Sequence, residues 1–433
     1  MTASVATTDL IELLHDARSR TLELVTDLSD EQLIPPKLET VNPLLWEIGH
    51  VAYFYEYFIL RKLYGYEPII GNADEIYDSI NIPHDVRWDL PVLSREETHQ
   101  YLENVLNALV DRLEGDAASE QDSFIYQFGA FHEGMHDEAF LWARQTFGYQ
   151  TPVLKNTIAN SGSGGALDGF ADVPGGEWML GSPKDAAFLF DNEKWAHPVN
   201  VAPFQISRSA VTNAEFVAFV EDSGYQRNEF WSDEGWQWRK KTGAEHPVYW
   251  RTKGPLSWSE RRFDQWRPLS PDNAVIHVCA YEADAYCRWA GVRLPSETEW
   301  EVACLALPDG DGFTDDGRTY PWGKEKPAAA QANLDAVRLG TIDVGALTDG
   351  DSPFGCRQMI GNVWEWTASP FGPFPGFAPD SYEDYSQPLF GDTRVLRGGA
   401  WTTRSHYVNG KYRNYFEPHR RDVFAGFRVC KDA

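Results

Sequence analysis

The chain has 433 residues, 42% hydrophobic and 24% charged, which is ordinary for a soluble globular protein and leaves room for two or three domains. Its formal net charge of −27 argues against nucleic acid or an anionic membrane surface as a partner. No stretch approaches the roughly 20 apolar residues of a membrane span, no basic-then-apolar leader opens the sequence, and five scattered cysteines without CxxC spacing fit free thiols in a reducing cytoplasm.

The first half reads as helices. Leu10, Leu13, Leu14, Ala17, Thr21, Leu24 and Leu28 recur at helical spacing. Asn42-Pro43 offers a cap and a first-turn proline for a second helix running to about Tyr64, where Gly65 stops it. Ser94 and Glu97 form a capping box ahead of a leucine- and valine-rich run that ends at Gly115. A fourth helix spans about Asp122 to Phe147. Short links and one long connection, from about Gly65 to Leu93, describe a four-helix bundle over residues 1–150.

The fourth helix carries His132-Glu133-Gly134-Met135-His136, which matches H-E-x-x-H. Histidines at i and i+4 share a helix face and can hold one metal ion. The zinc-protease reading lacks a downstream third ligand, since Ala139 stands where the extended motif wants glycine. His50 supplies a better third ligand from upstream: it shares a face of the second helix with Trp46, Tyr53, Phe54 and Tyr57. Three histidines from two facing helices leave coordination positions open for substrate and dioxygen, as in non-heme iron oxygenases. Glu47, Glu133 and Asp137 are candidates to orient the imidazoles.

Residues 151–170, with Ser161-Gly162-Ser163-Gly164-Gly165, read as a linker. Beyond it, over residues 171–433, glycine, proline and tryptophan punctuate short apolar runs. Clear helices lie near Asn213 to Asp222 and Tyr281 to Ala290, and a third starts at Ser296, so the expectation is an α+β domain with much irregular structure.

This second half resembles the formylglycine-generating-enzyme/sulfatase-modifying-factor domain, a C-type-lectin-like fold. The resemblance rests on Pro174-Gly175-Gly176-Glu177-Trp178-Met179-Leu180-Gly181-Ser182, Val211-Thr212-Asn213-Ala214-Glu215-Phe216, the run from Arg293 to Glu301, Gly361-Asn362-Val363-Trp364-Glu365-Trp366, Leu396-Arg397-Gly398-Gly399-Ala400-Trp401 and Gly426-Phe427-Arg428, in that order. The first half looks like a DinB-type bundle, whose relatives bind a metal through three histidines. The fusion is that of the ergothioneine-pathway sulfoxide synthases (EgtB-like).

That resemblance implies an Fe(2+) enzyme with O2 as co-substrate, joining a thiol sulfur to C2 of the imidazole of hercynine. It implies His50, His132 and His136 as iron ligands. Arg87 and Arg420 match arginines that hold the sulfur donor, while Asn414 and Tyr415 match hercynine contacts. Tyr415 and Phe416 are candidates to face the trimethylammonium group, which takes no hydrogen bond but suits an aromatic face. Phe416 stands where some members have an aspartate that contacts γ-glutamylcysteine, and Met135 where some have a glutamine. The acid residue is not assigned, with Tyr77, Tyr382 and Tyr385 as candidates. Cysteine, γ-glutamylcysteine or, in a selenoneine synthase, a selenosugar remain as donors. Formylglycine generation is disfavoured because residues 404 to 424 contain no cysteine. A zinc hydrolase and a lectin-like binding module are the readings from other classes.

Overall fold

Residues 5–115, 118–158, 162–254 and 257–433 are described in the computed structural model, so Ser161 of the glycine-serine run lies outside them. The chain divides into one unit of residues 1–155 with 185–188, and a second of 156–184 with 189–433.

The first unit is built on four long helices: α1 (Thr7–Val25), α2 (Leu44–Tyr55), α3 (Arg95–Gly115) and α4 (Glu120–Phe147). The flanks of α4 follow from local chemistry. Ser119 and Asp122 form a reciprocal capping box, and Gly148 ends the helix in the left-handed conformation. All twelve residues of α2 are buried, as expected of a helix enclosed by its neighbours rather than lying on a surface. Its last turn widens to π geometry over Glu56–Arg61 before Gly65 breaks it at φ +72°. The expected cap at Asn42 is not formed. Pro43 occupies the cap position, and the Asn42 amide oxygen instead accepts from Arg87.

The long connection after α2 is not featureless. A short helix at Ala73–Tyr77 and a 3-10 turn at His84–Val86 interrupt it. The short helix lays Tyr77 against α2 where Gly49 has no side chain. A Cβ there would meet the Tyr77 ring at 2.3 Å. Gly129 of α4 gives the Tyr55 ring the same close approach, at 2.6 Å. Phe188 belongs to this unit because its ring stacks on Phe124 of α4 (5.2 Å).

In the second unit two small sheets carry the organisation. Strands β1 (Phe170–Val173), β2 (Phe204–Ser207) and β7 (Cys430–Asp432) form an antiparallel sheet with β2 central. The other sheet has the order β5-β4-β3-β6, where β3 is Trp364–Pro370, β4 Arg394–Arg397, β5 Asn414–Phe416 and β6 Ala425–Gly426. Helices at Asn213–Glu221, Ala280–Ala290 and Glu297–Leu305 lie where apolar spacing predicts them. A further helix, Asp233–Thr242, has only Gly235 buried, so it leaves no apolar stripe to read. Caps at Ser232 and Gly243, acids in its first turn and bases in its last hold it instead.

The sequence landmarks meet in a buried ion network. Glu365 accepts a two-pronged bond from Arg428 and one from Trp300 Nε1. Glu297 and Glu301 hold Arg397, and Glu301 also accepts from Trp178 and Lys411. These motifs therefore serve the scaffold of the unit.

Candidate metal centre

His50 comes from the middle of α2, and His132 and His136 from adjacent turns of α4. One ring nitrogen from each lies within 4.8 Å of the other two, and the Nε2 atoms of His132 and His136 are 3.3 Å apart. The ring contacts explain the placement. Trp46, one turn before His50, stacks on its imidazole (5.1 Å, 6°), and Phe54 stacks on that of His132 (3.8 Å, 17°).

The tautomers follow from the acceptors. His50 Nδ1 lies 2.8 Å from the Tyr77 carbonyl, which can only accept, so that nitrogen bears the proton. His136 Nδ1 lies 2.6 Å from Glu47 Oε1 and donates likewise. The neutral His50 ring thus presents an unprotonated Nε2. Burial, reinforced by the neighbouring His136, pushes the pKa of His50 down to about 3, and burial drives that of His132 well below the usual range. The cluster therefore brings the ring nitrogens of three imidazoles together, with His50 and His132 held neutral by burial, and such a donor set suits a divalent transition metal.

Of the three acids read as orienting groups, Glu47 bonds to an imidazole, that of His136. Glu133 faces the other way, where Oε1 accepts from Arg18 (2.9 Å) and Thr21 (2.8 Å) and Oε2 from Tyr55 (2.9 Å). Asp137 accepts from Thr21. The H-E-x-x-H zinc-hydrolase reading fails on this point, because its glutamate is tied into the packing of α1 against α4 and does not face the histidines.

Arg87 reaches the same unit from the long connection. Its guanidinium lies 4.1 Å over Trp46, the ring that backs His50. Its Nη atoms donate to Asn42 Oδ1 and to the carbonyls of Ser79 and Ile82. The Tyr77 hydroxyl accepts the Leu93 amide, and burial raises its pKa.

Asn414, Tyr415 and Phe416 form β5 of the second unit. Tyr415 stacks on Phe371 (4.0 Å, 16°), and its hydroxyl donates to the Tyr385 carbonyl. Tyr382 and Tyr385 belong to the same unit, their rings 6.4 Å apart. The fork of Arg420 is bound by both oxygens of Asp422, with Phe416 beneath it at 5.2 Å. The Tyr77 carbonyl is the contact that sequence reading misses. A backbone acceptor delivered by a loop leaves no side-chain signal.

Glu133→Gln is expected to cost on the order of 3 kcal/mol by leaving Arg18 with an uncompensated buried charge. Urea unfolding of the variant measures this, and stability equal to the parent chain would reject the packing role. Acid sensitivity follows as well. The folded pKa of His50, about 3, lies below the 6.5 of a free histidine, so the unfolded chain takes up protons first. Stability of chelator-treated protein should then fall as pH drops from about 6.5, by up to about 1.4 kcal/mol per pH unit for each charging histidine. The same slope in a His50→Phe variant would contradict this.

Comparison with known proteins agrees with both halves. A DinB superfamily model matches residues 13–140, and a sulfatase-modifying factor enzyme 1-like domain model matches residues 159–433. A hercynine oxygenase of Mycolicibacterium thermoresistibile is 38% identical over 98% of this chain and 95% of its own length. One from Mycobacterium tuberculosis is 39% identical over 97% of each. A formylglycine-generating enzyme of Streptomyces coelicolor is 30% identical over 60% of this chain and 88% of its own. Similar to hercynine oxygenases across both units, and to formylglycine-generating enzymes over a smaller share, the chain belongs to the hercynine oxygenase family, with its DinB-type bundle and sulfatase-modifying-factor domain.

Proposed function

We propose that this chain is a hercynine oxygenase of ergothioneine biosynthesis. It joins the sulfur of a thiol donor, cysteine or γ-glutamylcysteine, to C2 of the hercynine imidazole and oxidises that sulfur to the sulfoxide. The observation that carries the reading is the convergence of three imidazoles, two of them buried, in a chain whose near full-length relatives bear that name. The reaction balances with one dioxygen. The thiol S–H and imidazole C2–H bonds break, C–S and S–O bonds form, and the second oxygen atom leaves as water.

His50, His132 and His136 are the residues that would hold Fe(2+). Bound there, iron supplies affinity for dioxygen and a charge that favours the ionised thiol. The chain's own residues do the rest. The Tyr77 carbonyl and the Glu47 carboxylate fix two imidazole rings and keep their Nε2 lone pairs pointing inward. Trp46 and Phe54 cover the rings and exclude water. Arg87, stacked over Trp46, is assigned to a donor carboxylate, which a guanidinium binds in two-pronged fashion. Arg420 is already matched by Asp422, and a donor must displace that pair to use it. Asn414, Tyr415 and Phe416 are assigned to hercynine, whose trimethylammonium group gains about 0.5–2 kcal/mol from each aromatic face. This reading keeps the protein on small molecules.

Protein loaded anaerobically with Fe(2+), then given oxygen, hercynine and in turn cysteine, γ-glutamylcysteine and a selenosugar, should yield a hercynine–thiol sulfoxide by mass spectrometry. His50→Ala should yield none. Absence of any adduct with every donor removes the proposal, and turnover confined to the selenosugar makes the chain a selenoneine synthase. Glu47→Gln should keep the fold while weakening iron binding by roughly 10–100-fold, read by competition with a chelator. Unchanged affinity would show that the carboxylate orients nothing.

A further inference from the structure

The second unit carries a half-open cavity of about 340 Å³, within the size range of small-ligand sites, and its wall carries three arginines: Arg262, Arg267 and Arg338. Arg262 is satisfied, because Nη2 donates to Glu260 and Nη1 to the Leu339 carbonyl. The other two are not. Arg267 Nε and Arg338 Nε and Nη1 are shielded from solvent and have no hydrogen-bond partner among the described residues. Arg338 is held by a single bond from Nη2 to the Ala329 carbonyl. Arg267 stands across the strand pair from Glu260, but the Glu260 carboxylate turns to Arg262 instead.

Guanidinium nitrogens shielded from solvent and left without a partner cost stability, so their persistence on half-buried arginines needs a reason. Scarcity of acids is not that reason: the chain has 65 Asp and Glu against 38 Lys and Arg. Asp343 also lines the cavity, but its Oδ2 accepts the amides of Gly164 and Gly165. The backbone is shaped to keep the arginines in place. Gly340 sits at φ +136° under the Arg262 side chain, where a Cβ would lie 2.1 Å from Nη1. Partial burial, with Arg262 adding repulsion at Arg267 that outweighs the attraction of either Glu260 or Asp264, holds both guanidinium groups below the usual arginine range.

We propose that this cavity binds a small organic oxyanion, carrying a phosphate or carboxylate group, with Arg267 and Arg338 as its ligands and the Ser270 hydroxyl beside them. Planar guanidinium forks match either oxyanion, and a bound negative charge gives the unused donors their partners. The cavity is larger than one inorganic ion needs, which points to a ligand with a carbon skeleton or a second anionic group. The site lies within the second unit and contains none of the three histidines.

Calorimetric titration of the full iron-loaded chain at constant ionic strength tests this, with pyrophosphate and citrate as probes and chloride as control. Saturable binding of either probe is expected, weakened about tenfold or more in Arg338→Gln and in Arg267→Gln, and unchanged in Lys240→Gln on an exposed helix. If the parent chain binds neither probe beyond the chloride background, no anion site exists there, whatever the variants do. If binding persists undiminished in both arginine variants, the site lies elsewhere and the assignment is overturned. Should one variant fail to fold, the other and the parent titration still decide.

Discussion

Gathering three imidazoles in a packed helix pair, with His50 and His132 buried and neutral, is the constraint on which the rest depends. A charged histidine in that dry interior would pay for its desolvation and repel its two neighbours. The proteins of such a site must therefore hold protons on the outward Nδ1 atoms. Here two acceptors do so, a backbone carbonyl for His50 and a carboxylate for His136. Remove those acceptors and the rings are free to flip, with lone pairs no longer pointing at one place.

The same fold separates two jobs that one motif combines elsewhere. In an H-E-x-x-H hydrolase the glutamate serves the metal-bound water. In this chain the helix turns Glu133 toward α1, where Arg18, Thr21 and Tyr55 consume its oxygens. Glu47, three residues before His50, takes over contact with an imidazole. A carboxylate that only orients a ligand has no part in hydrolysis, and a face of neutral nitrogen donors suits dioxygen chemistry better.

The second unit is held differently. Its strands are short and irregular, so buried charge does much of the positioning: Glu297, Glu301 and Glu365 are each satisfied by arginine, lysine or indole donors. Such networks are costly when incomplete, because every missing partner leaves a desolvated charge. Against acids so well matched, the shielded nitrogens of Arg267 and Arg338 in the cavity wall stand out. The chain pairs its buried acids with care and leaves those guanidinium groups open.

Apolar spacing, capping boxes and terminating glycines were enough to place α1 to α4 and the three apolar-faced helices of the second unit, because each of those signals acts within a few residues of chain. They also put His50, His132 and His136 on inward faces, since helical periodicity fixes which side a residue occupies. Helix Asp233–Thr242 escaped because it buries almost nothing, and the Asn42 cap was misread because its amide serves Arg87 across 45 positions. Which acid contacts an imidazole, and that a loop carbonyl at Tyr77 holds His50, depended on packing between distant segments. Periodicity says which face a side chain occupies. Only the assembled neighbours decide what it meets there.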